Sequence, residues 1–481
     1  MIDPAITGLS AVELSRRVRA RKLSAVEVLN AHLAAIERHN PALNAICTLA
    51  AEQALAAAQD IDARIGRGEA AGALAGVPVG IKDVTPTAGI RTTYGSTLFA
   101  NNVPTEDAEA VTRLKAAGAI VIGKTNTPEF ATGGNTFNAV FGATRNPWDT
   151  RLSASGSTGG GAAALAARMI ALAEGTDHGG SMRTPAAFCG VVGLRTTPGL
   201  IPKNPGELPW HDQSVAGPMA RDALDCALML DAMTGLSRRS PLSCVAPWAS
   251  AYALVSAARD LTGLRVAYAP ELGRVGMDSE VEALCRKAAR DLAARGATVD
   301  EIEVDFSDAR DAFMVLRGET MVGNHLERLG RLDEIGINTA NNIRAGLQVT
   351  VTDIAAAEKK RAEVWLRFVA LFERYDVLLT PTATVPPFPV EQNYPESING
   401  RKLDNYIDWA SQTFLISLPA LPAASVPAGL TAGGLPVGLQ IVGPRFAEPV
   451  ILTVAKMVQQ AHPVGLPGLV AVATGRAQGR R

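Results

Sequence analysis

The sequence predicts an α/β protein in which helices cover one large mixed sheet. From Gly76 onward, short β-branched runs bounded by glycine, as in 77–81 and 119–123, alternate with helical patterns such as 107–117. Similar runs recur at 170–173, 193–195, 264–268 and 377–380, and strands this far apart in sequence point to a single sheet. Hydrophobic residues make up 47% of the chain and charged ones 19%, with 45 glycines and 29 prolines, which fits a well-buried globular protein with many tight turns.

The elements follow in chain order. Two capping boxes, SAVE at 10–13 and SAVE at 24–27, each place a hydroxyl and a glutamate where a helix start leaves orphan N–H donors, and predict helices over 10–20 and 24–39. Asn40 and Pro41 are expected to end the second. A short apolar run at 44–48 reads as a strand, and 50–66 resumes an alanine-rich helical pattern. Residues 308–374 lack strand patterning and read as a helical insertion over the sheet. The apolar segment 414–426 is interrupted by Pro419 and Pro422, so it reads as core strand and turn, not as a membrane span. No repeat and no low-complexity linker divides the chain. The expectation is one domain over 1–481: a helical segment 1–66, a core of 67–307 and 375–467, the insertion 308–374, and a mobile basic tail over 468–481.

Several function classes are disfavoured. A formal net charge of −1 without long Lys or Arg runs lacks the footprint of a nucleic-acid binder. The five cysteines (Cys47, Cys189, Cys226, Cys244, Cys285) form no CxxC pair, which suggests reduced thiols and a cytoplasmic setting. The six histidines include no HxH or HxxxH arrangement, so no metal and no cofactor is expected. The N-terminus has neither a basic n-region nor an apolar h-region, and no membrane partner is expected.

The informative stretches are GSTGGGAAALAA at 156–167 and GTDHGGSMRTPAAFCG at 175–190. Each packs glycine against hydroxyls and runs into a helical pattern, so backbone N–H groups can approach a ligand at a partly positive helix start. A phosphate loop is disfavoured because Ala162 and Ala163 follow Gly161 where a lysine would be needed, and no GxGxxG follows a clear strand. An oxyanion hole is the other use: the N–H groups of His178, Gly179, Gly180 and Ser181 would face the charge developing on an attacked carbonyl, with Ser181 as nucleophile. The His178 side chain is a poor base if its backbone lines that hole. Lys82, in GVPVGIKDV at 76–84, ends an apolar strand where desolvation would free its amine, although, taken alone, a strand-end lysine beside Asp83 more often forms a surface ion pair.

Together these residues resemble the amidase signature family, whose members carry a GGSSGG loop, then GTDxGGSxR, and an upstream GVPxxxKD. Here the matching residues are 155–160, 175–183 and 76–83. The likeness extends from the N-terminal helices through NPW at 146–148 and TPT at 380–382 to GLPVGLQIVG at 434–443. The resemblance implies a twisted, mostly parallel mixed sheet. It also implies hydrolysis of a C–N bond in a small amide, carbamate or urea through an acyl-enzyme. Ser181 attacks the carbonyl, Ser157 relays its proton after a cis peptide bond, and Lys82 accepts it. It further implies a buried Asp177–Arg183 pair, supporting hydroxyls from Thr158 and Thr176, and a substrate-contacting segment at Ala131, Thr132, Gly133 and Gly134, whose glycines suggest a roomy pocket or close backbone contact. The first loop departs from the pattern at Ser155, Thr158 and Gly161, none of them a triad position.

Within the family, the glutaminase subunit of tRNA-dependent amidotransferases carries an acid seven residues before the segment matching SLPALP at 417–422. Here that position is Ala410, with Asp408 out of register, which favours a free-standing amidase. The membrane element of fatty acid amide hydrolases is not evident. A silent binding protein on the same fold is the remaining alternative, disfavoured by retention of all three triad residues. The expected partners are a small-molecule amide and a second copy of the chain, with no nucleic acid. Specificity is expected from 131–142, 308–374 and 404–417.

Overall fold

The computed structural model describes residues 3–203, 208–403 and 405–473. Asp404 and the basic residues 474–481 lie outside the described residues, whereas the start of the expected tail, Gly468–Ala473, is a short helix.

Among the described residues eleven strands form the main sheet: β1 (Ile46–Leu49), β2 (Pro78–Lys82), β3 (Ile120–Thr125), β4 (Leu172–Asp177), β5 (Val192–Arg195), β6 (Val215–Ala220), β7 (Arg265–Tyr268), β8 (Thr298–Glu301), β9 (Val377–Pro381), β10 (Ala423–Leu430) and β11 (Pro436–Val442). Their spatial order is β1-β3-β2-β4-β6-β5-β10-β11-β9-β7-β8. The sheet is mixed, as expected, but the parallel pairs (β2 with β3 and β4, β7 with β8 and β9) flank an antiparallel centre from β4 to β9. The centre is antiparallel partly because β10 and β11 are joined by a tight turn, closed by the N–H of Thr431 on Leu435 O, which only antiparallel neighbours allow.

Three local expectations are corrected. Ser24 and Glu27 make a reciprocal capping box, whereas at the first helix only Ser10 caps, because Glu13 is drawn into ion pairs with Arg16 and Arg17, both at 2.6 Å. The second helix does not stop at Pro41 but runs Ala25–Leu43. The Asn40 side chain closes it, accepting from the N–H groups of Ala45 and Ile46 at 2.9 Å each. Within 414–426 the first residues belong to a buried helix, Ser411–Ser417, 418–422 turn, and only 423–426 enter β10; a short, fully apolar run cannot be assigned to helix or strand by periodicity.

Two short helices begin at the glycine-rich loops. Gly159–Ala166 is buried at every residue and packs on β2, β3 and β4. Arg183–Cys189, equally buried, lies on β5, β10 and β11. Helices Arg310–Gly323, Ile337–Gly346 and Val351–Arg374 span most of 308–374. They reach the sheet through an aromatic layer in which Phe306 stacks on Phe368 at 4.4 Å and Phe313 on Phe414 at 4.7 Å, over Ala267 of β7 and Leu378 of β9. Among the described residues no helix is long and apolar enough to cross a membrane.

Helix Arg183–Cys189 can lie this close to β11 because position 438 has no side chain: a Cβ there would stand 2.4 Å from Ala187 Cβ and 2.7 Å from Ser425 Oγ. Gly438→Ala should therefore lower stability by about 1–3 kcal/mol through overpacking, seen as a reduced urea midpoint at unchanged slope. An unchanged midpoint would contradict the close approach.

Candidate active site

Parallel strands β2 and β4 are adjacent, in register Val79↔Leu172 through Ile81↔Glu174, so their C-terminal ends deliver Lys82, Thr176 and Asp177 to one edge. Ligands of α/β sheets gather at such ends. The two glycine-rich loops arrive at the same edge, each at the start of a buried helix, and are tied by the Thr158 N–H donating to Ser181 O at 3.0 Å.

Lys82 is fully buried. Its Nζ lies 2.7 Å from Ser157 Oγ, 3.0 Å from Thr176 Oγ1 and 3.4 Å from Thr176 O, all neutral partners. Burial drives its pKa down to about 7, against the opposing pull of the Glu174 and Asp177 carboxylates. The expected alternative of a surface ion pair with Asp83 does not occur: Asp83 is itself buried and turns to the Thr93 hydroxyl at 2.5 Å. The peptide bond between Gly156 and Ser157 is cis. Thr158 donates to Thr176 O at 3.4 Å, so both expected hydroxyls border the lysine.

Asp177 organises the second loop. Its carboxylate accepts from the N–H groups of Gly180 at 2.9 Å and Met182 at 3.1 Å, and from Arg183 Nη2 at 2.8 Å and Nε at 3.0 Å. Burial alone would raise its pKa; Arg183 and Arg195 outweigh that and hold it well below the usual carboxylate range. Arg183 also reaches Thr413 O, Gln440 Oε1 and Ser417 Oγ, pinning the loop to helix Ser411–Ser417 and β11. The Gly180 N–H, expected to face the substrate, is thus committed to Asp177, because a buried carboxylate must be satisfied from the loop it underlies.

The half-buried His178 ring lies 5.8 Å from His211 and edge-on to Phe313 at 5.7 Å, and desolvation together with the nearby Arg317 charge pushes its pKa well below the ordinary imidazole value. A cavity at the loop is lined by Gly179, Gly180 and Ser181 together with Ala131, Gly133 and Gly134, and closed by Arg317, Tyr406 and Trp409. Thr132 instead lines a neighbouring groove beside Glu129 and Asn338. At Gly134 a Cβ would meet Trp409 at 2.7 Å, so the indole packs directly on the bare backbone there. Ala410 lines the cavity, and Asp408 is turned away into an ion pair with Arg310 at 2.8 Å. Among the described residues no group of His, Cys, Asp and Glu could hold a metal ion.

Sequence reasoning missed four buried groups. Arg195, read as part of a strand, donates from Nη1 to Asp177 O at 2.7 Å and lies 3.4 Å from Oδ1. Glu174 accepts the Lys82 N–H at 3.2 Å and the Thr85 hydroxyl at 3.0 Å. Lys124, one strand over, bonds Thr85 O and Thr87 Oγ1. Arg317 and its partners arise from the insertion, which carries no motif. Strand burial of 192–195 was the available signal for Arg195: an arginine in an apolar strand needs an acid.

Asp177→Asn should cost about 3–5 kcal/mol, because it leaves two buried guanidiniums without their counter-charge; urea unfolding measures the loss.

The chain is similar to several known proteins. The family model described as Amidase matches residues 27–452. An acylamidase of Rhodococcus erythropolis is 35% identical over 467 residues, covering 96% of this chain and 97% of that protein. A glutamyl-tRNA(Gln) amidotransferase subunit from Acidothermus cellulolyticus is 36% identical over 484 residues, covering 94% of each. Among solved structures, a bacterial aryl acylamidase of the amidase signature enzymes superposes with a TM-score of 0.89 at 28% identity, over 98% of this chain and 99% of that one.

Proposed function

Since this chain belongs to the amidase signature family and is an amide-hydrolysing enzyme, we propose that it cleaves a small amide, or a related carbamate or urea, through Ser181, Ser157 and Lys82 and an acyl-enzyme. The observation that carries this reading is the buried, counter-ion-poor Lys82 Nζ at 2.7 Å from Ser157 Oγ. With a pKa of about 7 the lysine is substantially a free amine at neutral pH, so it takes the Ser157 proton while Ser157 takes that of Ser181. Ser181 Oγ then adds to the carbonyl carbon. The N–H groups of His178, Gly179 and Ser181 receive the oxyanion, each contributing about 3–4 kcal/mol to the transition state. Collapse breaks the C–N bond, and the proton held on Lys82 returns through Ser157 to the leaving nitrogen. Water, deprotonated along the same relay, releases the acid and restores Ser181. No step draws on a metal or cofactor. Five free thiols support a reducing, cytoplasmic setting.

A second reading, the glutaminase subunit of an amidotransferase, is favoured by the Acidothermus relative. Ala410 at the cavity wall and the pairing of Asp408 with Arg310 weigh against it, since neither offers a carboxylate to a substrate amine.

A fluorophosphonate probe should label Ser181, located by mass on its peptide, and Ser181→Ala should abolish anilide turnover; labelling at another serine would overturn the assignment. Turnover only after adding amidotransferase partner subunits would favour the second reading. The base must be deprotonated, so kcat/KM should rise with pH through about 7 and level above it. Lys82→Met should lower kcat/KM by about 10²–10⁴-fold and remove that limb. A wild-type profile peaking below about pH 6 would contradict a lysine base.

A further inference from the structure

We infer that the amide taken by this enzyme carries a carboxylate, bound by Arg317 in the cavity beside Ser181; the inference rests on that cavity being the substrate site. Arg317 projects from helix Arg310–Gly323 and, with the residue only 8% exposed, lines the same cavity as Ser181. Its Nε donates to Asn342 Oδ1 at 3.1 Å and its Nη2 to Tyr406 Oη at 2.6 Å, while the guanidinium lies 6.0 Å from the Tyr406 ring centroid. Every one of these partners is neutral.

That sets Arg317 apart from the other arginines around the site. Arg183 and Arg195 face Asp177, Arg310 faces Asp408, and Arg361 faces Asp212 at 2.6 Å. Among the described residues no carboxylate lies within ion-pair distance of Arg317, and Nη1 has no hydrogen-bond acceptor. An uncompensated buried charge is costly unless a partner arrives. The planar fork of donors matches a carboxylate in two-point geometry, and Asn342 and Tyr406 hold that fork in place before any ligand binds. The positive charge is also felt at the neighbouring His178 ring, where it adds to burial in keeping the imidazole neutral. The single compensating carboxylate is therefore supplied by the substrate, spanning the cavity from the carbonyl at Ser181 to Arg317. A purely structural arginine tying Asn342 to Tyr406 would make no such distinction between substrates.

The test compares kcat/KM for the p-nitroanilide of butyric acid with two anionic amides, the p-nitroanilide of succinic acid and the butyryl amide of 4-aminobenzoate, in wild type, Arg317→Met and Arg317→Lys. One carboxylate-bearing amide should exceed the neutral one by about tenfold or more in wild type, and which of the two does so assigns the carboxylate to the acyl or the amine side. The ratio should collapse toward one in Arg317→Met and survive in part in Arg317→Lys. Calorimetry on Ser181→Ala adds a readout without turnover: succinamate or 4-(butyrylamino)benzoate should bind at least about tenfold tighter than butyramide, a difference lost in the Ser181→Ala/Arg317→Met double variant. A wild-type preference for the neutral amide, or an anionic preference unchanged in Arg317→Met, would overturn the inference. Discrimination in binding without hydrolysis of any amide would leave the carboxylate site standing and remove the hydrolytic reading of it.

Discussion

A lysine amine is kept out of water at the end of β2, among hydroxyls and a carbonyl, and the rest of the site is arranged around that constraint. An ammonium placed there would have lost its hydration without gaining a contacting carboxylate. The two acids that attract it stand back: Asp177 is saturated by two guanidiniums and two N–H groups, and Glu174 meets the lysine through its backbone. If either acid contacted Nζ, the lysine would stay protonated and be useless as a base. Burial on the sheet, the parallel register of β2 with β4, and the tie between the two glycine-rich loops together hold the Lys82 amine beside Ser157.

The electrostatics around Ser181 divide the labour among charges. Asp177 is structural, a carboxylate whose ionisation is secured by Arg183 and Arg195 and whose spare oxygen capacity fixes the 178–182 loop. Arg183 carries that order outward to Thr413, Ser417 and Gln440, so the loop inherits the rigidity of helix Ser411–Ser417 and of β11. The close seating of helix Arg183–Cys189 on Gly438 belongs to the same arrangement, since that helix begins two residues after Ser181. Arg317, by contrast, keeps its charge for the cavity.

The fold class and the residues that meet at the end of β2 were legible in the sequence because they live in local patterns. Glycine-hydroxyl loops, a lysine closing an apolar strand, and β-branched runs alternating with helices each follow from neighbours within a dozen residues. What stayed hidden was competition for a local partner, the state of an unpatterned apolar run, or a contact far along the chain. Glu13 satisfies the capping-box pattern, yet Arg16 and Arg17 win it. The helical residues 414–417 read as strand because an apolar run buried on all sides has no period to report. The Gly180 N–H looks free until a carboxylate three residues earlier folds beneath it. Arg195, Glu174 and Lys124 are separated from their partners by 18 residues or more, and Arg317 from Tyr406 by 89, so no window of sequence could pair them. The antiparallel centre of the sheet was likewise decided by which strands meet, which their composition does not encode.

The proposed relay depends on the free amine of Lys82, and the ionisation of that amine can be read without reference to turnover. Lysine side chains labelled with ¹³C at Cε and titrated by NMR, with Lys82 assigned through Lys82→Arg, report the protonation of each amine. The account predicts a resonance titrating near pH 7 that vanishes in Lys82→Arg. A Lys82 resonance that titrates above pH 10, in the ordinary lysine range, would contradict it.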